Sequence, residues 1–221
     1  MANSNPLKLV VCISGNGSNL QSIVDAINLG ELNGSIACVI SDKPDAYGLI
    51  RARNHGLRSH SIDPRHYADR ISYDIDLRQF LESLEFDYLV LAGFMRILDS
   101  AFVKAFERRI LNIHPSILPN YKGLNTHQRA MQNNEKEHGV SIHIVTAELD
   151  DGPVLLRGRY NIESDHKLSD LQTMGHTLEH KMYPLVLSWI QEKRLTITRG
   201  GIGFDGSSVI DGLELSDFDV D

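Results

Sequence analysis

The chain has 221 residues, 42% hydrophobic and 23% charged, with 22 Lys and Arg against 29 Asp and Glu and a formal net charge of −7. This is ordinary globular composition and excludes a disordered chain, a coiled coil and collagen. Five acids and no base fall within residues 209–221 (Asp211, Glu214, Asp217, Asp219, Asp221), so most of the net charge belongs to the C-terminal end. The nearly neutral body offers no broad electrostatic footprint for duplex nucleic acid or an anionic membrane, though a local site for a small anion is allowed. Cys12 and Cys38 each sit inside an apolar run, as buried reduced thiols do. No apolar stretch is long enough to span a bilayer, and residues 1–6 lack the basic and apolar regions of a signal peptide, so the expectation is a cytoplasmic protein.

In chain order, residues 7–13 form a β-branched apolar run that reads as a buried parallel strand. A Gly-Asn-Gly-Ser-Asn loop follows, and residues 20–27 have helical spacing. The pattern then predicts a strand at 35–40, a helix at 46–55, a short strand at 59–62, a helix at 72–84, a strand at 88–92, a short helix at 101–106 and a strand at 110–113. Beyond Pro115 it predicts a helix at 126–133, an alternating strand at 140–145, a strand at 154–160, a long helix at 167–190 and a hairpin starting at 195–198. Strand and helix alternate from residue 7 to about 115. That demands an α/β, Rossmann-like fold: a mostly parallel twisted sheet with helices on both faces and ligands at the strands' carboxyl ends. The neighbouring strands of the C-terminal half add antiparallel pairs. With no Pro/Ser-rich linker and no repeat, the expectation is a single domain over 1–221, with a core of about 7–195 and an acidic extension of about 200–221.

The loop Gly15-Asn16-Gly17-Ser18-Asn19 joins a strand to a helix whose first-turn N–H groups are unpaired, which is phosphate-binding geometry. A plain tight turn capped by Ser18 or Asn19 is the bland alternative. Leu20 stands where a dinucleotide fingerprint needs its third glycine, and no Gly-Lys-Ser/Thr follows. A monophosphate therefore suits the loop better than a dinucleotide.

In Leu111-Asn112-Ile113-His114-Pro115, Asn112 and His114 lie two residues apart on a strand that the proline ends, so they share a face at a carboxyl end. An amide can stabilise a developing oxyanion and an imidazole can shuttle a proton, together the equipment for acyl chemistry at a carbonyl. No Gly-x-Ser-x-Gly elbow is present, so the acceptor would be the second substrate itself. The alternative is a strand-end histidine bonded to backbone. Leu149-Asp150-Asp151-Gly152-Pro153 is either a solvated turn or the source of a carboxylate that orients His114.

These segments together resemble the phosphoribosylglycinamide formyltransferases, a branch of the folate-dependent formyltransferase family. The matching stretches are Ile13-Ser14-Gly15-Asn16-Gly17-Ser18-Asn19-Leu20-Gln21, Leu91-Ala92-Gly93-Phe94-Met95-Arg96-Ile97-Leu98, Leu111-Asn112-Ile113-His114-Pro115-Ser116-Ile117-Leu118-Pro119 and Glu148-Leu149-Asp150-Asp151-Gly152-Pro153. The resemblance implies transfer of a formyl group from 10-formyltetrahydrofolate, a co-substrate, to the amine of 5'-phosphoribosylglycinamide in purine biosynthesis, without a metal. Carried over by position, it implies Asn112, His114 and Asp150 as the catalytic trio. Gly17, Ser18 and Asn19 would hold the phosphate, and Glu179 the ribose. Arg65, Met95, Arg96, Ile97, Leu98, Asn112, Thr146, Ala147, Glu148, Leu149 and Asp150 would bind the folate. Small-molecule substrates are the implied partners, with no nucleic acid and no membrane, in a monomer or homodimer. Lys122, Asn125 and His176 depart from the family pattern, and the acidic end has no family counterpart.

Related readings are a formyltetrahydrofolate deformylase, which usually carries a further N-terminal domain, and a methionyl-tRNA formyltransferase, which adds a C-terminal one. Two readings of other classes are a zinc peptidase, from His176-Thr177-Leu178-Glu179-His180, and a nucleotide-binding module that uses the glycine loop alone.

Overall fold

The computed structural model describes residues 5–218. Its elements in chain order are β1 (Leu7–Ile13), α1 (Ser18–Leu29), β2 (Gly34–Ser41), α2 (Tyr47–Asn54), β3 (Ser59–Ser61), α3 (Arg70–Glu82), β4 (Tyr88–Leu91), α4 (Ser100–Ala105) and β5 (Ile110–His114). They continue with α5 (Thr126–Gln132), β6 (Glu137–Ile144), β7 (Val154–Asn161), α6 (Leu168–Gln191), β8 (Leu195–Thr198), β9 (Gly201–Phe204), β10 (Ser207–Val209) and β11 (Leu213–Glu214). Every strand and helix expected from the sequence is present, with ends displaced by a few residues.

The main sheet runs β11-β7-β6-β5-β4-β1-β2-β3. From β5 to β3 all pairings are parallel; β6 pairs antiparallel with both β5 and β7. The apolar strands β1 and β4 are buried on both faces, as a sheet covered by helices requires. One core cluster joins Leu9, Val11 and Ile13 to α1 and to Met182, Tyr183, Val186 and Leu187 of α6. The other joins Val10, Cys12 and Ile40 to Tyr73, Leu77 and Leu81 of α3 and to Phe102. Alternate residues of β1 thus feed opposite layers, as the pleat dictates. Each fully buried aliphatic or aromatic side chain contributes about 1.5–3 kcal/mol. Both cysteines are free and buried. Among the described residues no helix is long and apolar enough to cross a membrane.

The acidic C-terminal end is folded against the body over the part the structure describes; Asp219 and Asp221 lie outside it. β8, β9 and β10 form a small antiparallel sheet, and β11 returns to extend the main sheet beside β7. Trp189 of α6 packs its ring against Phe204 and Phe218, with centroids 4.9 and 4.6 Å apart. The acids Asp211 and Glu214 face arginines of β7. The sequence shows only the charge of this segment, because its arginine partners lie some fifty residues away.

Candidate active site

β5 ends at His114, where parallel pairing with β4 meets antiparallel pairing with β6. Asn112 faces His143 across that seam, and His114 faces Ser141. Four polar side chains therefore project from one face of the sheet at this seam. The β6–β7 register shifts between Ile142 and His143, a bulge of the kind that re-aims side chains beside functional sites.

His143 is buried, and burial lowers its pKa and holds it neutral. Its Nδ1 lies 3.0 Å from the Ile144 carbonyl, so Nδ1 carries the proton and Nε2 accepts. The Asn112 amide donates to that Nε2 at 3.1 Å. This fixes the amide's orientation and leaves its second N–H for a ligand. Asp150 arrives from the β6–β7 loop: its Oδ2 is 3.4 Å from His114 Nδ1 and its Oδ1 is 3.7 Å from His143 Nε2. The Gly123 N–H donates to Asp150 Oδ2 at 2.9 Å, and Lys122 pairs with Asp151, which ties this loop to the 115–126 loop. His114 Nε2 lies 2.9 Å from the Tyr121 carbonyl. Each ring nitrogen of His114 thus faces an oxygen.

The local backbone is strained where these groups meet. Asp150 and Tyr121 hold φ of 48° and 56°, left-handed values that non-glycine residues rarely adopt and that cluster at functional sites. Asn125, which precedes α5, also has positive φ, 57°, a conformation that asparagine tolerates better than most residues. Gly152 admits no side chain, since a Cβ there would lie 1.7 Å from the Ile144 carbonyl oxygen; this accounts for the glycine of Asp-Asp-Gly-Pro.

A cleft of about 470 Å³ opens over these groups. Its walls include Met95, Ile97, Leu124 and Leu149, all exposed, an apolar mouth suited to a flat heterocycle. Arg96, Leu98, Thr146, Ala147 and Glu148 also line it; Leu98 is buried and belongs to the core beneath. Segment 93–98 is fastened from behind. The Met95 N–H donates to Ser14 Oγ at 2.8 Å, the Asp99 N–H to Asp74 at 2.8 Å, and the Arg96 guanidinium lies 4.3 Å from the Tyr73 ring centre. Arg65 is set apart from this wall. It sits on a 3₁₀ turn with an exposed side chain, its guanidinium taken up by Asp63, which that pairing holds well below the usual carboxylate range. A larger groove of about 690 Å³, between α4 and the β8–β10 sheet, shares Val145, Thr146 and Ala147 with the cleft but holds none of the polar quartet.

The glycine loop lies further along the same sheet edge. Gly17 precedes α1 with φ of 74°, and no side chain caps the helix, so its first-turn N–H groups are free for an anion. A Cβ on Gly17 would lie 2.7 Å from the Cα of Gly48, so close packing of α1 on α2 also demands glycine there. Asn19 Nδ2 donates to Glu179 Oε2 at 2.8 Å, joining two expected site residues 160 positions apart. Burial raises the Glu179 pKa against that hydrogen bond, and Asn19 Oδ1 is buried without a partner. Glu179 is thereby committed to the glycine loop, and among the described residues no group of three His, Cys, Asp or Glu side chains is arranged to hold a metal ion.

Asn112, His114 and Asp150 come together; Gly17, Ser18, Asn19 and Glu179 form a second group. Sequence reading missed His143, Ser141 and the Tyr121 carbonyl. In an alternating strand the polar positions are ordinarily the solvated ones. The available signal was a second pair of polar residues at spacing two, matching Asn112 and His114.

Residues 7–187 match the formyl transferase family model. The phosphoribosylglycinamide formyltransferase of Escherichia coli is 44% identical over 200 residues, 90% of this chain and 94% of that protein. That of Haemophilus influenzae is 39% identical over 91% of this chain and 95% of its own. The solved phosphoribosylglycinamide formyltransferase of Coxiella burnetii, in complex with CHES, superposes with a TM-score of 0.89 at 43% identity, covering 95% of this chain and 99% of its own. The chain belongs to the formyl transferase family.

Proposed function

We propose that this protein transfers the formyl group of 10-formyltetrahydrofolate to the amine of 5'-phosphoribosylglycinamide, giving the N-formyl product and tetrahydrofolate in purine biosynthesis, as a cytoplasmic enzyme. The observation that carries the reading is the meeting of Asn112, His114 and Asp150 at the floor of an apolar cleft, on the same sheet edge as an uncapped helix start. The relatives named above carry phosphoribosylglycinamide formyl transfer in their names.

The first turn of α1, with Gly17, Ser18 and Asn19, takes the phosphate, and Glu179 takes the ribose hydroxyls. The slot of Met95, Arg96, Ile97 and Leu98 and the Thr146–Asp150 loop take the pterin; Arg65, outside the cleft, takes the part of the folate that protrudes. The amine attacks the formyl carbon. A C–N bond forms, and the carbonyl π pair moves to oxygen. The free N–H of Asn112 and the His114 ring stabilise that oxygen, a contribution of ~3 kcal/mol per donor. Collapse restores the carbonyl and breaks the bond to the folate nitrogen, which takes a proton from His114. Asp150, through a water, accepts the proton the amine loses and returns one to the ring. No covalent enzyme intermediate forms. For this His114 must exchange the Tyr121 carbonyl for substrate, which makes the 115–126 loop part of the mechanism. Holding two substrates together supplies the entropic share of the acceleration.

The test is spectrophotometric folate turnover with and without phosphoribosylglycinamide, alongside a formate assay. The proposal expects turnover only with the amine substrate and no formate. Formate release without that substrate would make the protein a hydrolase.

A further inference from the structure

The catalytic histidine lies in a row that crosses four strands. His114 of β5 is in register with Ser141 of β6, Ser141 with Arg157 of β7, and Arg157 with Glu214 of β11. The first three side chains all grip one loop segment, residues 116–121. His114 Nε2 meets the Tyr121 carbonyl at 2.9 Å. Ser141 Oγ donates to the Ser116 carbonyl at 2.7 Å and accepts from the Leu118 N–H at 3.0 Å. Arg157 Nε donates to the Leu118 carbonyl at 2.9 Å.

Arg157 is a buried cation, its side chain only 7% exposed. Its remaining donors are used by the acidic end: Nη1 by the Asp211 carbonyl, Nη2 by Asp211 Oδ1 at 3.1 Å, and Glu214 Oε1 stands 3.8 Å away. Glu214 is itself held in a fork by Arg159, at 2.8 and 3.0 Å. Without segment 211–214, Arg157 would keep, of its hydrogen bonds among the described residues, the one to the Leu118 carbonyl and lose the partners of both terminal guanidinium nitrogens, which is costly for a charge held this deep. The guanidinium and the extension therefore require each other, and the guanidinium joins that extension to the loop that holds His114.

We propose that Arg157 is a positioning residue for His114, and that the acidic C-terminal segment acts in formyl transfer by fixing Arg157. The kinetic part of this proposal rests on the function proposed above; the positioning part does not.

The experiment compares wild type with R157Q, R157K and the D211N/E214Q double variant. It measures kcat, KM for both substrates and the ¹⁵N resonances of the His114 ring without substrate, assigned by difference from an H114Q spectrum. The expected result for R157Q is a kcat lower by about tenfold, KM values within about twofold and a moved His114 resonance, because the 116–121 segment that orients the His114 ring before it turns to substrate is no longer held in place. R157K, which keeps a charged donor, recovers part of both readouts, and D211N/E214Q moves both in the direction of R157Q by less. A folded R157Q with an unmoved resonance, or with a wild-type kcat, overturns the proposal. If R157Q does not fold, the surface double variant decides on the same two readouts. If the wild type lacks formyl transfer, the ring resonances still test the positioning claim alone, and an unmoved resonance sinks it.

Discussion

The glycine-loop end and the β5–β6 seam share one sheet edge but are built differently. The glycine loop is made of consecutive residues and presents backbone N–H groups, with Glu179, Arg51 and Gly48 among its distant partners. The seam draws Asn112, His114, His143 and Asp150 and the Tyr121 carbonyl from four separate segments and presents side chains held in fixed pairs. Binding an anion needs only donors in the right place, which a helix start supplies without further parts. Moving a proton needs a defined tautomer and a defined next acceptor, and these come from neighbours across strands. The account therefore assigns affinity to the first region and turnover to the second.

The sharpest way to break that division is His114→Ala. Turnover should fall by about 10³-fold while calorimetric binding of phosphoribosylglycinamide stays near wild type. Equal losses in both would merge the two regions. A step smaller is His143→Ala, which leaves the Asn112 amide unheld and should lower kcat by about 10²-fold, with KM for either substrate little changed. A kcat within twofold of wild type would show that Asn112 needs no such support.

The opposite signature belongs to Asn19→Ala. It should raise KM for the phosphoribosyl substrate by about tenfold or more and leave kcat within a few-fold, since it removes a donor to a charged group that does not react. A kcat loss exceeding the KM change would place the glycine loop in the chemistry.

The smallest effect concerns stability at the back of the seam. His127 of α5 and buried His138 of β6 pack edge to face at 5.1 Å, and burial pushes both down to about 4. Their folded values lie below the ordinary 6.5, so their contribution to stability is complete above pH 6.5 and is lost as pH falls towards 4. Melting temperature should accordingly decline over that window, and His138→Asn should flatten the decline. An unchanged slope in the variant would remove His138 from the acid response.

Much of this was readable in the sequence for a physical reason that also explains the omissions. Runs such as residues 7–13 and punctuation such as Gly15-Asn16-Gly17 act over a few residues, so strand, turn and helix start can be read locally. Asn112 and His114 sit two apart and need only the strand period to be placed on one face. His143 and Arg157 are different: each reads as an outward polar residue of its own strand. Burial and a partner 31 or 39 positions away give each its role. The acidic end was legible as charge and illegible as structure, because its aromatic and arginine partners lie on α6 and β7. Arg65 entered by resemblance alone, and the structure sets it on an exposed turn outside the cleft.

The most direct measurement is kcat of Asn112→Ala at saturating concentrations of both substrates, with their dissociation constants measured in parallel. The account predicts a fall of about 10²–10³-fold in turnover with both constants within about threefold of wild type. Turnover near the wild-type rate would contradict it, for the amide at the seam would then take no part in stabilising the charge that develops on oxygen.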